Sequence, residues 1–406
     1  MMKKNILVIA PWLPYPLISG GHQAIYNGLL ALSKECNVHC MYFTRDSKKN
    51  GCELDFKRKH PNILMVPIRS SSTKRLSCDW FKACFIFILN CLGLCKKERV
   101  ERFFFPRIYN KNARAINEYI KKNDIDYVQI EMVENIGIIE KINTKAKKVF
   151  VHHELQYVVA KQVVERKGNV DTIALLRLKK REIELLNKYD AVVVLSNEDR
   201  IKLEQENVVV PIYVSPAIVC SSPVASIDYT QNNTLTFVGA SSHEPNKNGL
   251  LWFLANCWTN LQYKYKLNVI GLWEDNLKKE ILSNHKNIEF KGFVENLSTE
   301  IQNTIMIVPI FEGSGIRMKI VEAAGFGVPF VTTSVGVGGL PFVDNENCFI
   351  ADSANEFIEK INTLNEKDIL KRQMAERNFE IVKSQFCYEN FEQERLEIVR
   401  DVCARV

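Results

Sequence analysis

The chain has 406 residues, of which 46% are hydrophobic and 25% charged, with 18 Gly and 13 Pro. At about 100–200 residues per domain this predicts two domains or one large one, and the composition excludes a disordered, collagenous or small disulfide-stapled protein. The formal net charge is +7. Residues 74–115 hold all of it, through Lys74, Arg75, Lys82, Lys96, Lys97, Arg99, Arg102, Arg107, Lys111 and Arg114 against Asp79, Glu98 and Glu101. A patch so confined marks a local binding surface, whereas a nucleic-acid protein of this size spreads basic stripes over its surface, so no nucleic-acid partner is expected.

From the start of the chain, Ile6-Leu7-Val8-Ile9-Ala10 is a short, continuous apolar run, the mark of a strand buried on both faces of a parallel sheet. Pro11, Pro14, Pro16 and Ser19-Gly20-Gly21 form a loop, and His22–Ser33 has helical spacing in Ile25, Leu29, Leu30 and Leu32. Further strands are predicted at Val38–Phe43, Ile63–Val66, Asp126–Ile130, Val149–Val151 and Ala191–Leu195. Helices are predicted between them, notably Ala113–Lys122 and Thr172–Lys188. This alternation reads as a doubly wound α/β domain.

Within that first half, Ala83–Cys95 has only Asn90 strongly polar. As a helix it would be about 20 Å long, short of the roughly 30 Å hydrocarbon core of a bilayer. It reads as a buried helix or as an interfacial one, flanked by Lys82 and Lys96-Lys97. The twelve cysteines are irregularly spaced and no leader precedes Asn5, which predicts reduced thiols in the cytoplasm. Cys36-x-x-His39-Cys40 and Cys91-x-x-x-Cys95 meet no second ligand cluster at zinc-finger spacing. No metal site is expected, and buried cysteine acting as a small hydrophobe accounts for them.

The stretch Ser215–Asn233 is poor in periodic pattern and reads as a linker. A second α/β series follows, with strands at Leu235–Val238, Leu267–Ile270, Ile288–Phe290, Ile305–Val308 and Phe330–Thr333, and from Ile369 the pattern is only helical. Two Rossmann-like halves facing a cleft are therefore expected, with ligands at the carboxyl ends of the strands.

The most informative run is Pro309-Ile-Phe-Glu312-Gly313-Ser314-Gly315-Ile316-Arg317-Met318-Lys319-Ile320-Val321-Glu322-Ala323-Ala324-Gly325-Phe326-Gly327-Val328-Pro329. A strand ends, glycines let a ligand approach the backbone, and a helix expected to begin near Ile316 offers free N–H groups to an anion. Arg317 and Lys319 put positive charge in the first turn, where a helix on its own terms prefers acids. A local rule broken in this way points to function. Lys319 and Glu322 share a helix face, which allows either a salt bridge or a cation at a diphosphate beside a carboxylate on ribose hydroxyls.

This run resembles the C-terminal signature of GT-B fold glycosyltransferases, especially the retaining family 4 type (glycosyl transferases group 1). The resemblance extends over nearly the whole chain: Gly20-Gly21 is similar to the family's N-domain glycine loop, and Phe237-Val238-Gly239 with Lys247-Asn248-Gly249 to its first C-domain strand and phosphate lysine. Phe290-Lys291-Gly292-Phe293-Val294 is similar to its base-binding turn and Phe386-Cys387-Tyr388 to the start of its closing helix. It implies an acceptor domain over 1–215, a nucleotide-sugar domain over 216–385 and a C-terminal helix over 386–406 that returns to the first. The implied donor-binding residues are Gly20, Gly21, Gly239, Lys247, Phe293, Glu312, Ser314, Gly315, Arg317, Lys319 and Glu322. Lys247 and Arg317 would stabilise the leaving diphosphate.

On the acceptor side Val149–Glu154 ends a strand, and because adjacent residues on a strand face opposite sides, only one of His152 and His153 can reach a site. The resemblance favours a histidine there. His153 is the expected catalytic one, with Glu131 and Glu154 beside it. The family usually carries two glutamates separated by seven residues, whereas the first such position, counted back from Glu322, is Ser314, and Glu312 lies two residues earlier. Either Glu312 bends inward or the backbone N–H groups of Ser314 and Gly315 serve. No arginine precedes Lys247 in Ala240–His243, which leaves Arg317 or Lys319 to compensate.

The expected activity is metal-independent, cofactor-free transfer of a sugar from a nucleotide-diphosphate sugar, uridine by default, to a glycan or lipid-linked glycan. The enzyme would be cytoplasmic and peripheral on an anionic membrane through residues 74–115. The alternatives are a GT-B sugar-nucleotide epimerase and a non-catalytic nucleotide-sugar binding subunit.

Overall fold

A computed structural model describes residues 3–44, 51–69, 110–167, 172–218 and 233–405. The expected Ala83–Cys95 run, nearly all of the basic patch and most of the Ser215–Asn233 linker lie outside the described residues. Contacts divide the chain into two units, Met1–Ala217 with Glu389–Val406, and Ile218–Tyr388.

In the first unit seven strands form one parallel sheet: β1 Asn5–Ala10, β2 Asn37–Thr44, β3 Ile63–Arg69, β4 Tyr127–Glu131, β5 Lys147–His152, β6 Ala191–Val194 and β7 Ile212–Val214. Their order is β3-β2-β1-β4-β5-β6-β7, so strand order reverses between β1 and β4, where open α/β sheets bind their ligands. The apolar runs are buried on both faces, as a parallel sheet requires. Alternation sorts them: Val128, Ile130 and Phe150 pack with Leu178, Leu185 and Leu186, whereas Tyr127, Val149 and Val151 pack with Leu396, Val399 and Val402. The second set brings the last helix, Tyr388–Ala404, onto the first unit's sheet. β7 has no counterpart in the sequence reading. It is a half-buried edge strand of three residues, too short to show a period.

The second unit has six parallel strands: β8 Thr234–Val238, β9 Lys266–Ile270, β10 Ile288–Gly292, β11 Ile305–Val308, β12 Phe330–Thr332 and β13 Phe349–Ile350, in the order β10-β9-β8-β11-β12-β13. Strand order again reverses, here between β8 and β11. Its core centres on Phe253, Trp258 and Phe357 against Leu235, Phe237 and Val269. β13 escapes a sequence reading because it has two residues.

The Glu244–Phe253 helix crosses this unit's carboxyl edge so closely that a Cβ at Gly249 would overlap the Pro309 carbonyl oxygen. The glycine is needed there for backbone approach. Gly249→Ala is expected to lower unfolding stability by about 1–3 kcal/mol through overpacking. A urea midpoint equal to that of the unaltered protein would show that the helix can move aside without cost.

Candidate functional site

In the second unit β11 ends at Val308, and the chain then runs in irregular backbone to Arg317. The helix begins at Met318, two residues later than the sequence suggests, and Arg317 stands outside it as the N-cap with φ −90° and ψ 93°. The extended backbone turns its guanidinium back on the loop, where Nη1 donates to the carbonyls of Ser314 (2.5 Å) and Gly315 (2.8 Å) and Nη2 to that of Val335 (3.2 Å). Arg317 thus braces the glycine loop while keeping its charge beside it.

Lys319, at the second helical position, sends its ammonium to the Asn246 Oδ1 at 2.6 Å and over the Phe237 ring at 5.1 Å. The partner is an amide dipole and a ring face. Enclosure in protein, reinforced by Arg317, lowers the Lys319 pKa to about 7, with Glu322 pulling the other way. Glu322 lies one turn further along, half-buried.

His243 precedes the 244–253 helix. Burial, and then Lys319 and Arg317, push its pKa down to about 4, so it is neutral at pH 7. It is a site residue that sequence reasoning passed over. The only signal was its place two residues before Pro245-Asn246, which carry no charge of their own.

Asn246 was also missed. A Cβ at Gly239, just after β8, would lie 2.6 Å from the Asn246 amide, so the glycine makes room for the group that holds Lys319. The expected Glu312 is buried and accepts from Asn248 Nδ2 at 2.8 Å, and Ser314 and Gly315 are buried beside it. Lys247 lies on the same helix as Asn246, partly exposed, 3.8 Å from Glu244 Oε1. Phe293 is exposed beyond β10. The structure therefore gathers His243, Asn246, Arg317 and Lys319 with Glu322, while Lys247 faces Glu244.

In the first unit, Gly20 and Gly21 open the Gly20–Ser33 helix. Its N-cap Ser19 bonds His22 Nδ1 at 2.7 Å, and His22 stacks on Trp12 at 5.4 Å with its pKa pushed down to about 4 by burial. The next loop over, after β4, approaches them: Met132 Cε lies 2.8 Å from where a Gly21 Cβ would stand. Met132 has φ 68° and ψ 148°, a backbone state costing about 1–3 kcal/mol for a residue with a side chain.

The residue before it, Glu131, is buried and held at both carboxylate oxygens. Oε1 accepts from Gln129 Nε2 at 2.6 Å, and Oε2 pairs with His153 Nε2 at 2.6 Å. His152 points to the opposite face, paired with Glu182 Oε1 at 2.8 Å, and the same carboxylate accepts the backbone N–H groups of Gln156 and Tyr157. Glu182 caps a helix start, and its histidine belongs to the core. Glu154 is half-buried next to His153. Among the described residues no cluster of three or more His, Cys, Asp or Glu is arranged for a metal, and no helix is long and apolar enough to cross a membrane.

Both sets of residues stand at the carboxyl ends of central strands, where strand order reverses. Residues 232–367 match the family model described as Glycosyl transferases group 1. That segment is a group 1 glycosyltransferase domain, an enzyme domain. The fold of the whole chain is similar to sucrose-phosphate synthase from Thermosynechococcus elongatus (15% identity, TM-score 0.75, covering 99% of this chain and 100% of that one). It is also similar to S. aureus TarM in complex with fondaparinux, α-GlcNAc-glycerol and UDP (13%, 0.70, 99% and 100%). A third similar structure is Anabaena HepE in complex with UDP (13%, 0.63, 98% and 100%). The fold is GT-B. No curated protein matches the sequence.

The chemistry of the second unit's cluster can be tested with a bare polyanion. Lys319 with a pKa of about 7 is substantially neutral at pH 7.5, and a diphosphate against its ammonium favours the charged form. Pyrophosphate binding at pH 7.5 should therefore take up protons and weaken as pH rises from 7 to 9. Calorimetry in buffers of differing ionisation heat measures the uptake. Lys319→Met should abolish most of it, whereas wild-type binding without proton uptake would place the anion away from Lys319.

Proposed function

We propose that the protein is a retaining glycosyltransferase that moves a sugar from a nucleotide-diphosphate sugar to a hydroxyl of a glycan or lipid-linked glycan. The observation that carries this reading is the enclosed Lys319 ammonium beside Arg317, one helical turn from Glu322, inside a group 1 domain. UDP is the favoured nucleotide because TarM and HepE, two structures of similar fold, are described in complex with it.

In this reading Glu322 accepts the ribose hydroxyls, while Lys319, Lys247 and the N–H groups near Gly315 meet the diphosphate. Arg317 holds the loop that presents them. As the anomeric bond breaks, negative charge grows on the diphosphate, and fixed cations in a water-poor loop stabilise it without reorganising. With protein cations in that role, transfer needs no divalent metal and survives chelation. The acceptor oxygen attacks from the face the diphosphate leaves, and the departing phosphate takes its proton. His153 and Glu131 stand on the acceptor side, and the enzyme works on the cytoplasmic face of a membrane.

Incubation with UDP-, GDP- and ADP-sugars separates this reading from the alternatives. Slow donor hydrolysis without acceptor, and transfer with one, support it. Isomerised donor would replace it by an epimerase, and binding without turnover by a non-catalytic subunit. Glu322→Gln removes a charged hydrogen-bond acceptor worth about 1.5–3 kcal/mol, so UDP affinity should fall at least tenfold. An unaltered dissociation constant would refute the ribose assignment.

The membrane part of the reading rests on sequence alone, on the basic residues of 74–115 interleaved with Ala83–Cys95. Each Lys or Arg near an anionic bilayer contributes about 1 kcal/mol. Sedimentation with liposomes should show binding that requires anionic lipid, weakens with salt and drops when Lys96, Lys97 and Arg99 become Gln. Equal partitioning onto neutral vesicles, or none onto either, would leave a soluble acceptor.

A further inference from the structure

The amino edge of the second unit's sheet, opposite the edge that carries Lys319, holds an open pocket of about 520 Å3, within the range of about 300–1,000 Å3 usual for ligand sites. Three strand starts build it. Asn233 stands just before β8, Tyr263 to Lys266 lead into β9, and Asn287 with Ile288 opens β10. Lys266 N donates to the Asn233 carbonyl at 2.8 Å and Leu267 N to that of Asn287 at 2.9 Å, which holds the three segments side by side.

The walls are fixed by the protein itself. Tyr265 is 2% exposed, and its hydroxyl is tied to Asn362 Oδ1 at 2.9 Å. Asn287 has φ 59°, a left-handed state that asparagine tolerates better than most residues, and its Nδ2 donates to the Gln262 carbonyl at 2.5 Å. Just before it, Lys286 N donates to Gln262 Oε1 at 3.2 Å, and the Lys286 carbonyl accepts from Trp258 Nε1 at 3.0 Å. A ligand therefore meets a wall that needs little ordering.

The chemistry of the lining selects the ligand. Tyr263 is 79% exposed and offers a flat aromatic face at the rim. Both lysines of the pocket are answered by carboxylates: Lys264 meets Glu366 Oε1 at 2.8 Å and Lys266 meets Glu289 Oε2 at 2.5 Å. An anion would have to break these pairs, and an apolar molecule would desolvate them without replacing the lost water. A sugar does neither. The C–H face of its ring lies on an aromatic ring, and each hydroxyl both donates and accepts, so one residue can bond to the ammonium and the carboxylate of a single pair.

We propose that this pocket is a non-catalytic carbohydrate site that takes a neutral oligosaccharide, with one sugar ring on Tyr263 and hydroxyls on Lys266, Glu289 and Asn287. It stands at the other end of the strands from the Lys319 cluster, and no bond is made or broken in it. The proposal goes beyond the transfer reading and does not depend on it.

The test uses the whole protein labelled with fluorotyrosine, with no donor present. The Tyr263 fluorine signal, assigned by its loss in Tyr263→Phe, reads this pocket whatever binds elsewhere. Titration with cellohexaose, maltohexaose and chitohexaose should move it saturably for at least one of the three, and high salt should leave the affinity unchanged because no net charge is recognised. Replacing the ion pair, Lys266→Met with Glu289→Gln, should weaken that binding roughly tenfold. If the double variant does not fold, Tyr263→Ala followed by calorimetry with the same sugar should show the same loss. A signal that none of the three sugars moves, or an affinity unaltered by the substitutions, overturns the proposal. So does a signal moved only by hexagalacturonate and released by salt, which would make the pocket an anion site. Absence of any sugar transfer would fail the functional reading alone, since this titration reads no turnover.

Discussion

A strand buried on both faces gives up water along its whole length, so a polar side chain can stand on it only where another group answers it. That constraint organises the first unit. β1, β5 and β6 are apolar through their buried centres, and β4 breaks the pattern with Gln129 and Glu131. Leaving a carboxylate unanswered in such a place would cost far more than any strand preference returns, and the structure answers it with an amide and an imidazole. The end of the chain is tied to the first unit by the apolar side of the same face, where Leu396, Val399 and Val402 meet Tyr127, Val149 and Val151.

The second unit meets the same constraint with the opposite charge. Among the described residues, a lysine ammonium enclosed among Phe237, Asn246 and Arg317 has no carboxylate in ion-pair contact, which a structural lysine has. Its hydrogen bond goes to an amide oxygen, and its pKa falls to about 7. An ion pair would stabilise the empty protein and blunt the charge. An amide orients the ammonium and leaves its charge for an incoming anion. His243, neutral at pH 7, adds a polar group to the cluster without adding repulsion.

Much of this was legible in the sequence, because parallel strands write themselves as uninterrupted apolar runs and eleven of them were expected close to their observed places. β7 and β13 were not, since strands of three and two residues have no period. The alternation rule separated His152 from His153 before any contact was known, and the structure puts them on Glu182 and Glu131 respectively. Arg395 could not be found that way. It is buried against residues far earlier in the chain, such as Ser215, and in sequence it is one more charge on an amphipathic helix. Asn246 and His243 were hidden for a related reason: neither carries a charge at neutral pH that a composition count would notice.

The spacing of the two glutamates shows how a departure in sequence becomes a change in construction. Glu312 lies ten positions before Glu322, two more than a seven-residue separation gives. Arg317 stands in that interval in extended backbone as the N-cap, where its guanidinium reaches back to Ser314 and Gly315. Glu312 meanwhile turns to Asn248 and ties the loop to the helix that carries Asn246. One carboxylate thus fixes the loop to its neighbour, and one guanidinium fixes it to itself. Between them the chain holds Lys319 against Asn246, and among the described residues no carboxylate is bonded to its ammonium.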